Sequence, residues 1–358
     1  MPELRENVPL SSYTTLGLGG PARYFAEVHS VDELCAALDL AQTRRLPVHV
    51  MGGGSNIIVP DEGLNALVVR IALRGIRTEH SGEAVIVTAA AGEIWDDLVQ
   101  HAVASDLAGI ECLSGIPGLV GATPMQNVGA YGQEVGETIL AVRALERRTL
   151  TVREFSPAEC IFSYRQSRFK REDSGRYVII EVRFALKRSG APTVRYPELR
   201  RQLEASGSGA AIRPGRPGLE AVREAVLTLR RKKSMLVDPS DPNSRSVGSF
   251  FLNPVLSEQE HRSVSTRWTA GGAPEPIPAF HAPGGIKVPA AWLVEHAGYR
   301  RGYRKGGVGI SANHSLALVN YGGSTRELLA LAEEIQSGVY ATFGIRLERE
   351  PVLLHATP

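Results

Sequence analysis

The chain has 358 residues, of which 43% are apolar and 22% are charged, and its formal net charge is +2. This length is sufficient for two or three domains, and the composition is typical of a globular protein. A net charge so close to zero excludes binding that is driven by a strongly basic surface, so we expect no nucleic-acid partner.

The three cysteines, Cys35, Cys112 and Cys160, are odd in number and far apart. This pattern argues against a disulfide framework and against a zinc site, and it fits a reducing compartment. The first residues lack the apolar core of a signal peptide, and Arg70 interrupts the apolar run at 66–73. We therefore expect a cytoplasmic protein with no metal site and no stable membrane association.

The N-terminal part of the chain predicts strands and one helix. Residues 17–22 fit the pattern G-x-G-x-x-A, but Pro21 lies inside it and a strand pattern follows where a dinucleotide fingerprint requires a helix. We therefore reject that fingerprint. Hydrophobic periodicity predicts a strand at 23–28, a helix at 31–41 and strands at 47–51 and 57–59.

A glycine-rich loop, Gly-Gly-Gly-Ser-Asn at 52–56, joins two of these predicted strands. It lacks the Gly-Lys-Ser/Thr ending of a P-loop. Two interpretations remain open: a tight turn, or a nest of backbone N–H groups that binds a phosphate together with the Ser55 hydroxyl. Three consecutive glycines exceed what a turn requires, which favours the binding loop.

A second loop, at 115–132, follows a predicted strand at 84–90 and a predicted helix at 92–107. It holds five glycines and two prolines, too many for a helix, and its apolar residues are not those of a disordered linker. Such a loop is ordered, and its glycines let the backbone come close to a ligand. We expect it to wrap a large anionic cofactor.

The remaining elements are predicted as follows. Strands are expected near 139–147 and 176–186, with a stretch at 160–171 between them whose cations fit a solvated surface. Then come an irregular segment at 192–218, a helix at 219–233 whose terminal cations suit the helix dipole, and a turn-rich boundary at 238–243. The last part predicts a loop at 269–285, a short helix at 290–297, a capped helix at 324–344 and a strand at 345–354.

Seven groups of motifs are distributed over nearly the whole sequence. They are Gly52–Asn56, Ile116–Gly118, Gly121–Gly132, Tyr164–Ser167, Gly248–Phe251 with Asn253–Pro254, Ala291–Leu293 and Leu347–Glu350. In identity and order, these motifs resemble those of the UDP-N-acetylenolpyruvoylglucosamine reductases. A segment around Tyr196 resembles the family branch with an additional loop that closes over the substrate. His296 departs from the glutamine that relatives often carry after the tryptophan of the Ala-Trp-Leu motif.

The resemblance implies an α+β fold. An FAD-binding unit of the vanillyl-alcohol-oxidase type would form two subdomains, and a smaller α+β domain would bind the substrate. We expect the subdomains at 1–75 together with 346–358 and at 76–233, and the substrate domain at 234–345. FAD is the implied cofactor, NADPH the implied reductant, and the protein is expected to be a monomer.

The implied reaction reduces the enolpyruvyl C=C bond of UDP-N-acetylglucosamine enolpyruvate to give UDP-N-acetylmuramate for peptidoglycan synthesis. In the family mechanism, a hydride leaves N5 of the reduced flavin and negative charge spreads into the substrate carboxylate. The resemblance assigns Arg165 and Glu350 to the stabilisation of this enolate and Ser249 to protonation of the carbanion. In the alternative interpretation, Ser249 caps a turn, Arg165 is structural, and Glu350 pairs at the surface with Arg346 or Arg349.

The resemblance also assigns the binding residues. It leaves Lys232 open as an alternative to the adjacent Lys233. The expected substrate-binding residues are Tyr164, Tyr196, Lys233, Asn253, Lys287 and His296. The expected FAD-binding residues are Gly52, Gly53, Gly54, Ser55, Asn56, Ile116, Pro117, Gly118, Gly121, Ala122, Gln126, Asn127, Gly129, Ala130, Tyr131 and Gly132.

Two other functions remain as alternatives. A flavin oxidase or dehydrogenase of the same superfamily would share the glycine loops without needing the Ser-Phe-Phe turn or the C-terminal acid. Rapid reoxidation of its reduced flavin by oxygen alone would reveal an oxidase. A sugar-nucleotide binding protein without catalysis would be colourless and would take up no FAD.

Overall fold

A computed structural model describes residues 2–82, 84–207, 213–272 and 275–355 of the chain. Its N-terminal part alternates strands with one helix, as the sequence predicts. The elements are β1 (Arg5–Pro9), β2 (Pro21–Val28), α1 (Val31–Thr43), β3 (Val48–Met51), β4 (Ile57–Ile58) and β5 (Leu64–Ile71). Short 3₁₀ helices lie at Leu10–Tyr13, Glu111–Leu113, Val120–Ala122, Val135–Glu137 and Pro242–Ser244.

The first sheet has the strand order β1-β2-β5-β3. Strand β5 runs parallel to both β2 and β3, whereas β1 is antiparallel to β2. The helix α1 provides the crossover that a parallel pair requires, and it buries Leu34, Ala37, Leu38 and Ala41. Since β3 ends at Met51 in the sheet, the loop at 52–56 begins at the sheet edge.

The middle of the chain builds a mainly antiparallel six-stranded sheet with the order β12-β11-β13-β7-β6, and β8 also pairs with β13. Trp95, at the start of α2, is fully buried against the sheet residue Phe184. The elements are β6 (Ile76–Ser81), β7 (Ala84–Ala90), α2 (Trp95–Ala104), β8 (Leu107–Ala108), β9 (Gly129–Ala130), β10 (Gln133–Glu134), β11 (Ile139–Glu146), β12 (Val152–Phe155), α3 (Pro157–Cys160), β13 (Tyr177–Arg188), α4 (Pro197–Ala205) and α5 (Arg216–Lys232).

The predicted helix at 219–233 is confirmed as α5, but the prediction of an irregular segment at 192–218 is wrong in part. The helix α4 forms there because Pro197 occupies its first turn, where the missing N–H costs nothing. Leu199 and Leu203 of α4 pack against the apolar face of α5. Residues 208–212 of the predicted segment lie outside the described residues.

The last part of the chain forms two small sheets, of which the first packs against the long helix α8 and the second against α6. Their strand orders are β14-β20-β19-β18 and β15-β17-β16. The elements are β14 (Ser246–Ser249), β15 (Val255–Leu256), α6 (Glu258–Ala270), β16 (Phe280–Ala282), β17 (Gly285–Lys287), α7 (Ala290–His296), β18 (Arg304–Lys305), β19 (Val308–Ile310), β20 (Ala317–Asn320), α8 (Thr325–Phe343) and β21 (Val352–Leu353).

Two predictions for this part are wrong. The segment at 269–285 is not only a loop, because it contains the end of α6 and the edge strand β16; residues 273–274 lie outside the described residues. The strand predicted at 345–354 is reduced to β21, which pairs in parallel with β4. The preceding residues instead bond to the segment after β14: Glu350 N–H donates to Phe250 O at 2.9 Å, and Leu252 N–H donates to Glu348 O at 2.9 Å.

The three cysteines are free thiols. None of the described helices has the length and apolar character needed to cross a membrane. The described residues also contain no group of three or more histidine, cysteine, aspartate and glutamate side chains that could hold a metal ion. The domain limits expected from the sequence stay a prediction.

The turn at 52–56 contains a glycine, Gly54, at a position where a larger residue would clash with neighbouring backbone atoms. Gly54 has a left-handed backbone (φ +66°), and a Cβ there would lie 1.9 Å from the Tyr13 carbonyl oxygen. Gly302 is also left-handed (φ +81°), but a Cβ there would meet nothing within 4 Å. An alanine would therefore strain the backbone at both positions, but only at position 54 would it also clash with other atoms.

We expect Gly54→Ala to destabilise the protein far more than Gly302→Ala. Each substitution should cost about 1–2 kcal/mol for the left-handed backbone, and Gly54→Ala should lose at least ~2 kcal/mol more because backbone atoms must move. Urea unfolding followed by circular dichroism measures both free energies. Equal losses for the two variants would contradict the steric argument.

Candidate active site

The two glycine loops open onto a cavity of about 600 Å³, within the range of ligand-binding pockets. Many of the residues expected from the sequence line it. They are Gly52, Ser55, Asn56, Ile116, Pro117, Gly118, Gly121, Ala122, Gln126, Gly129, Ala130, Tyr131, Arg165, Tyr196, Lys233, Ser249 and Glu350. Other expected residues lie outside the lining: Gly53, Gly54, Asn127, Gly132, Tyr164, Asn253, Lys287 and His296.

The two loops cross with almost no space between their backbones. A Cβ on Gly53 would lie 3.0 Å from Gly118 Cα, and a Cβ on Gly118 would lie 2.8 Å from Ser55 Oγ. The Ser55 hydroxyl donates a hydrogen bond to Pro117 O at 3.0 Å, so it joins the loops in this structure. The bare backbone that faces the cavity fits the close approach of a large cofactor such as FAD.

The loop at 115–132 keeps its shape through Asn127, which is buried and has a left-handed backbone (φ +46°). Its amide nitrogen donates to Glu134 Oε2 at 2.6 Å and to Ser163 O at 3.1 Å. Its amide oxygen accepts from Gly136 N at 2.9 Å. Asn127 thus stabilises the loop, whereas the neighbouring Gln126 lines the cavity.

Arg165 and Glu350 form an ion pair at the cavity wall, with 3.1 Å between Arg165 Nε and Glu350 Oε1. The Nε–H is not aligned with that oxygen and makes no hydrogen bond among the described residues. No described residue accepts a hydrogen bond from the Nη groups of Arg165 either, and these groups are available to a ligand. Arg165 also has a left-handed backbone (φ +55°), a strained conformation that is enriched at functional sites.

Glu350 is deeply buried, and its burial raises the pKa of the carboxyl group. The positive charges of Arg165 and Lys170 oppose this effect and lower the pKa. Gln126 Nε2 lies 3.5 Å from Glu350 Oε1. Arg349, the alternative partner considered from the sequence, instead contacts Gln336 and Glu333.

Ser249 ends β14, opposite Ala317 of β20. Its hydroxyl makes no hydrogen bond within the part of the chain that the structure describes, so it caps no turn there and remains available to a ligand. Phe250 and Phe251, which follow it, are buried and fix the backbone at this point. Because Glu350 N–H bonds to Phe250 O, the acid and the serine belong to adjoining parts of one wall.

A second end of the cavity carries Tyr131, Tyr196 and Lys233. The two tyrosine rings meet edge to face, with 5.7 Å between their centroids. Lys233 lies beside them and donates from Nζ to Glu198 Oε2 at 2.6 Å. Lys232 points elsewhere and donates to Gln202, outside the cavity lining. The structure thus brings Lys233, and not its neighbour, to the cavity.

Tyr164, Asn253 and Lys287 form a separate cluster beyond the cavity lining. Asn253 Nδ2 donates to Tyr164 Oη at 3.3 Å, and Lys287 Nζ lies 5.4 Å from the centre of the Tyr164 ring. His296 is not brought to either group. It stacks on Trp292 at 3.9 Å between centroids and lies 2.8 Å from Glu275 Oε1.

Among the cavity residues that the sequence analysis missed are three basic side chains: Lys170, Arg230 and His314. Lys170 Nζ donates to Arg165 O at 3.3 Å, and its burial lowers the pKa of the ammonium group. Arg230 is buried and donates from Nε to Gly115 O at 3.1 Å. The cation clusters around Lys170 and Arg230 were visible in the sequence, but they were interpreted as solvated surface and as a helix end. No sequence motif indicated His314.

We expect the stability of Glu350→Gln relative to that of the unmodified protein to increase as the pH rises. A carboxyl group with a raised folded-state pKa favours folding only while it is protonated, below its unfolded-state pKa. As the pH rises above the unfolded-state pKa, stability is lost progressively, and the loss is complete once the folded-state pKa is passed, at about 1.4 kcal/mol for each unit of pKa shift. The glutamine side chain does not ionise, so the variant does not lose this stability as the pH rises.

Thermal unfolding of both proteins between pH 4 and pH 9, followed by calorimetry, measures this difference. The melting temperature of Glu350→Gln relative to that of the unmodified protein should increase with pH and then level off. A constant difference, or one that falls as the pH rises, would show that burial does not raise this pKa.

Comparisons with known proteins identify relatives of this chain. Residues 239–354 match the family model of the UDP-N-acetylenolpyruvoylglucosamine reductase C-terminal domain, and residues 22–153 match that of an FAD binding domain. The chain is 46% identical over 356 residues to the UDP-N-acetylenolpyruvoylglucosamine reductase of Thermobifida fusca, covering 98% of each chain. It is 42% identical to the enzyme of that name from Mycobacterium tuberculosis, covering 98% of this chain and 95% of the relative.

Among solved structures, the chain is similar to the UDP-N-acetylenolpyruvylglucosamine reductase from Thermus caldophilus. The TM-score is 0.66, the sequence identity is 24%, and the match covers 99% of both chains. This similarity supports the fold. The fold class expected from the sequence is therefore confirmed: an α+β protein with an FAD-binding unit of the vanillyl-alcohol-oxidase type.

Proposed function

Because the chain belongs to the UDP-N-acetylenolpyruvoylglucosamine reductase family and is an FAD-dependent oxidoreductase, we propose that it reduces UDP-N-acetylglucosamine enolpyruvate to UDP-N-acetylmuramate with NADPH as the reductant. The observation that carries the proposal is the position of the Arg165–Glu350 pair and of Ser249 on the walls of one cavity, which both glycine loops also line. The reaction would serve peptidoglycan synthesis in the cytoplasm, and the protein would act as a monomer.

The cofactor would be held by the backbone of the two glycine loops. Gly53 and Gly118 leave no room for side chains at the crossing of the loops, and Gly121 packs against Ala91, where a Cβ would lie 2.6 Å from Ala91 Cβ. When bound, FAD supplies the hydride that reduces the C=C bond. The exposed peptide N–H groups of a glycine-rich loop provide partners for its phosphates.

Arg165 would bind the carboxylate of the substrate. Its planar guanidinium matches a carboxylate with two parallel hydrogen bonds, and it would stabilise the negative charge that spreads into this group during reduction. Removing such a donor typically costs about 3–4 kcal/mol of transition-state stabilisation. The strained backbone at Arg165 is consistent with a side chain that is held in place for this role.

Ser249 would donate the proton to the carbon next to the carboxylate. A hydroxyl is a weak acid, but a carbanion is a strong base, and Ser249 has no competing hydrogen bond among the described residues. Glu350 would either hold a proton beside Arg165, which burial favours by raising the pKa of the carboxyl group, or act through Arg165 or a water molecule. A protonated Glu350 would not repel the developing negative charge.

The diphosphate of the sugar nucleotide would bind at the other end of the cavity, at Tyr196 and Lys233. In this structure, Lys233 is paired with Glu198, which follows Tyr196 in the chain. Asn253, which the family resemblance also assigns to the diphosphate, would contact the substrate together with Tyr164 and Lys287 from the cluster beyond the lining. His296 is engaged with Glu275, so we propose only an indirect role for it.

The flavin spectrum tests the proposal. Under anaerobic conditions, NADPH should bleach the absorbance of the purified yellow protein, and UDP-N-acetylglucosamine enolpyruvate should restore it with formation of UDP-N-acetylmuramate. Reoxidation by oxygen but not by the sugar nucleotide would favour the alternative oxidase. A protein that takes up no FAD would contradict an enzymatic function altogether.

We expect Ser249→Ala to separate the two half-reactions. Flavin reduction by NADPH should proceed as in the unmodified protein, whereas reoxidation by the substrate should slow by about 10²–10⁴-fold, because the positioned acid is lost. Stopped-flow absorbance measures both rates, and the reductive rate of the same variant serves as the control. An equal slowing of both half-reactions would show that Ser249 is not the proton donor.

A further inference from the structure

We infer that His314 binds the diphosphate of the sugar nucleotide through a neutral Nε2–H donor. The inference rests on the proposed function and adds a residue to its substrate site. His314 lines the cavity at the end where Lys233 and Tyr196 also lie. It follows α7, β18 and β19 in the chain and stands in the turn that leads into β20.

The tautomer of His314 follows from its backbone contact. Leu316 N–H donates to His314 Nδ1 at 3.3 Å, so Nδ1 is an acceptor and carries no proton. In a neutral imidazole, the proton must then be on Nε2. No residue in the described part of the chain accepts a hydrogen bond from this N–H, and it is therefore available to a ligand in the cavity.

The surroundings keep the ring neutral. Burial has the largest effect, and together with the positive charges of Lys233 and Arg230 it lowers the pKa of His314 to about 4. Arg301 acts in the same direction, whereas Glu198 opposes it. At neutral pH, the ring is thus a donor that adds no charge to a part of the cavity where Lys233 and Arg230 are already positively charged.

The neighbouring cations, Arg230 and Lys233, already make hydrogen bonds within the protein. Arg230 donates from Nε to Gly115 O and from Nη2 to Met235 O at 2.7 Å, so these donors hold the backbone. The ammonium group of Lys233 is bonded to the carboxylate of Glu198. The Glu198 carboxylate shows that an anionic group fits beside Lys233. His314 supplies a further donor, one that is bonded to none of the described residues.

A diphosphate suits this combination better than a carboxylate does. It presents several oxygens along its length, so one group can contact Lys233 while a neighbouring oxygen accepts from His314 Nε2. A hydrogen bond from a neutral donor to a charged oxygen is worth about 1.5–3 kcal/mol, and losing it weakens binding by about tenfold or more.

Two substitutions distinguish the role of Nδ1 from that of Nε2. In His314→Asn, the side-chain oxygen takes the position of Nδ1 and can still accept from Leu316 N–H, but nothing reaches the position of Nε2. In His314→Gln, the longer side chain can place an amide N–H near the position of Nε2. The asparagine variant is therefore a control for the fold, and the glutamine variant restores the donor.

The experiment measures the binding of UDP to the FAD-loaded protein by calorimetry, together with the FAD content and melting temperature of each variant. His314→Asn should keep both properties and bind UDP about tenfold more weakly, and His314→Gln should bind within about threefold of the unmodified protein. The same order should appear in the KM for the enolpyruvyl sugar nucleotide, with little change in kcat.

Other outcomes would overturn the inference in distinct ways. Unchanged UDP binding by His314→Asn, or equal weakening in both variants, would show that Nε2 does not bind the diphosphate. Loss of FAD from His314→Asn with unchanged UDP binding would assign the contact to the cofactor diphosphate instead. If the unmodified protein bound no UDP, the proposed function itself would fail, and the role of His314 would fail with it.

Discussion

The structure depends on the close crossing of two glycine loops. The backbones of Gly53 and Gly118 approach so closely that any side chain at either position would meet the other loop. One loop leaves the first sheet and the other follows α2, so their crossing fixes two parts of the chain against each other. The Ser55–Pro117 hydrogen bond and the contacts of Gly115 with Asp96 and Arg230 hold this crossing in place. The cavity is the space that the crossing leaves beside it.

The reactive groups come to this cavity from three distant segments. Arg165 lies in the connection before β13, Ser249 ends β14, and Glu350 lies in the C-terminal tail. The tail makes this possible because it bonds to the backbone of Phe250 and then pairs with β4 at the edge of the glycine loop. Burial of Glu350 raises its pKa, and the adjacent cations limit that rise. The wall thus combines a cation, a carboxyl group able to hold a proton and an uncommitted hydroxyl.

Much of the fold was accessible from the sequence, because periodicity and capping residues determine long elements such as α1, α5 and α8. The glycine loops were also recognisable, since no regular element tolerates their composition. The catalytic residues became candidates through the family resemblance, and their roles stay predictions. The helix α4 was missed because Pro197 was read as a loop residue. The strand predicted for the tail was too long, because only Val352–Leu353 pairs with another strand there, and that partner, β4, lies far away in the chain. Burial at Lys170 and His314 depends on the tertiary fold, and a sequence cannot distinguish these side chains from exposed ones.

The central claim is that FAD on the two glycine loops brings the substrate double bond to Arg165, Ser249 and Glu350. A crystal structure of the FAD-loaded protein with UDP-N-acetylglucosamine enolpyruvate would test it most directly. The account predicts the substrate carboxylate on the Arg165 guanidinium and Ser249 Oγ within hydrogen-bond reach of the carbon to be protonated, about 3–3.5 Å away. A flavin ring bound away from this wall, or a double bond out of reach of Ser249, would contradict the account.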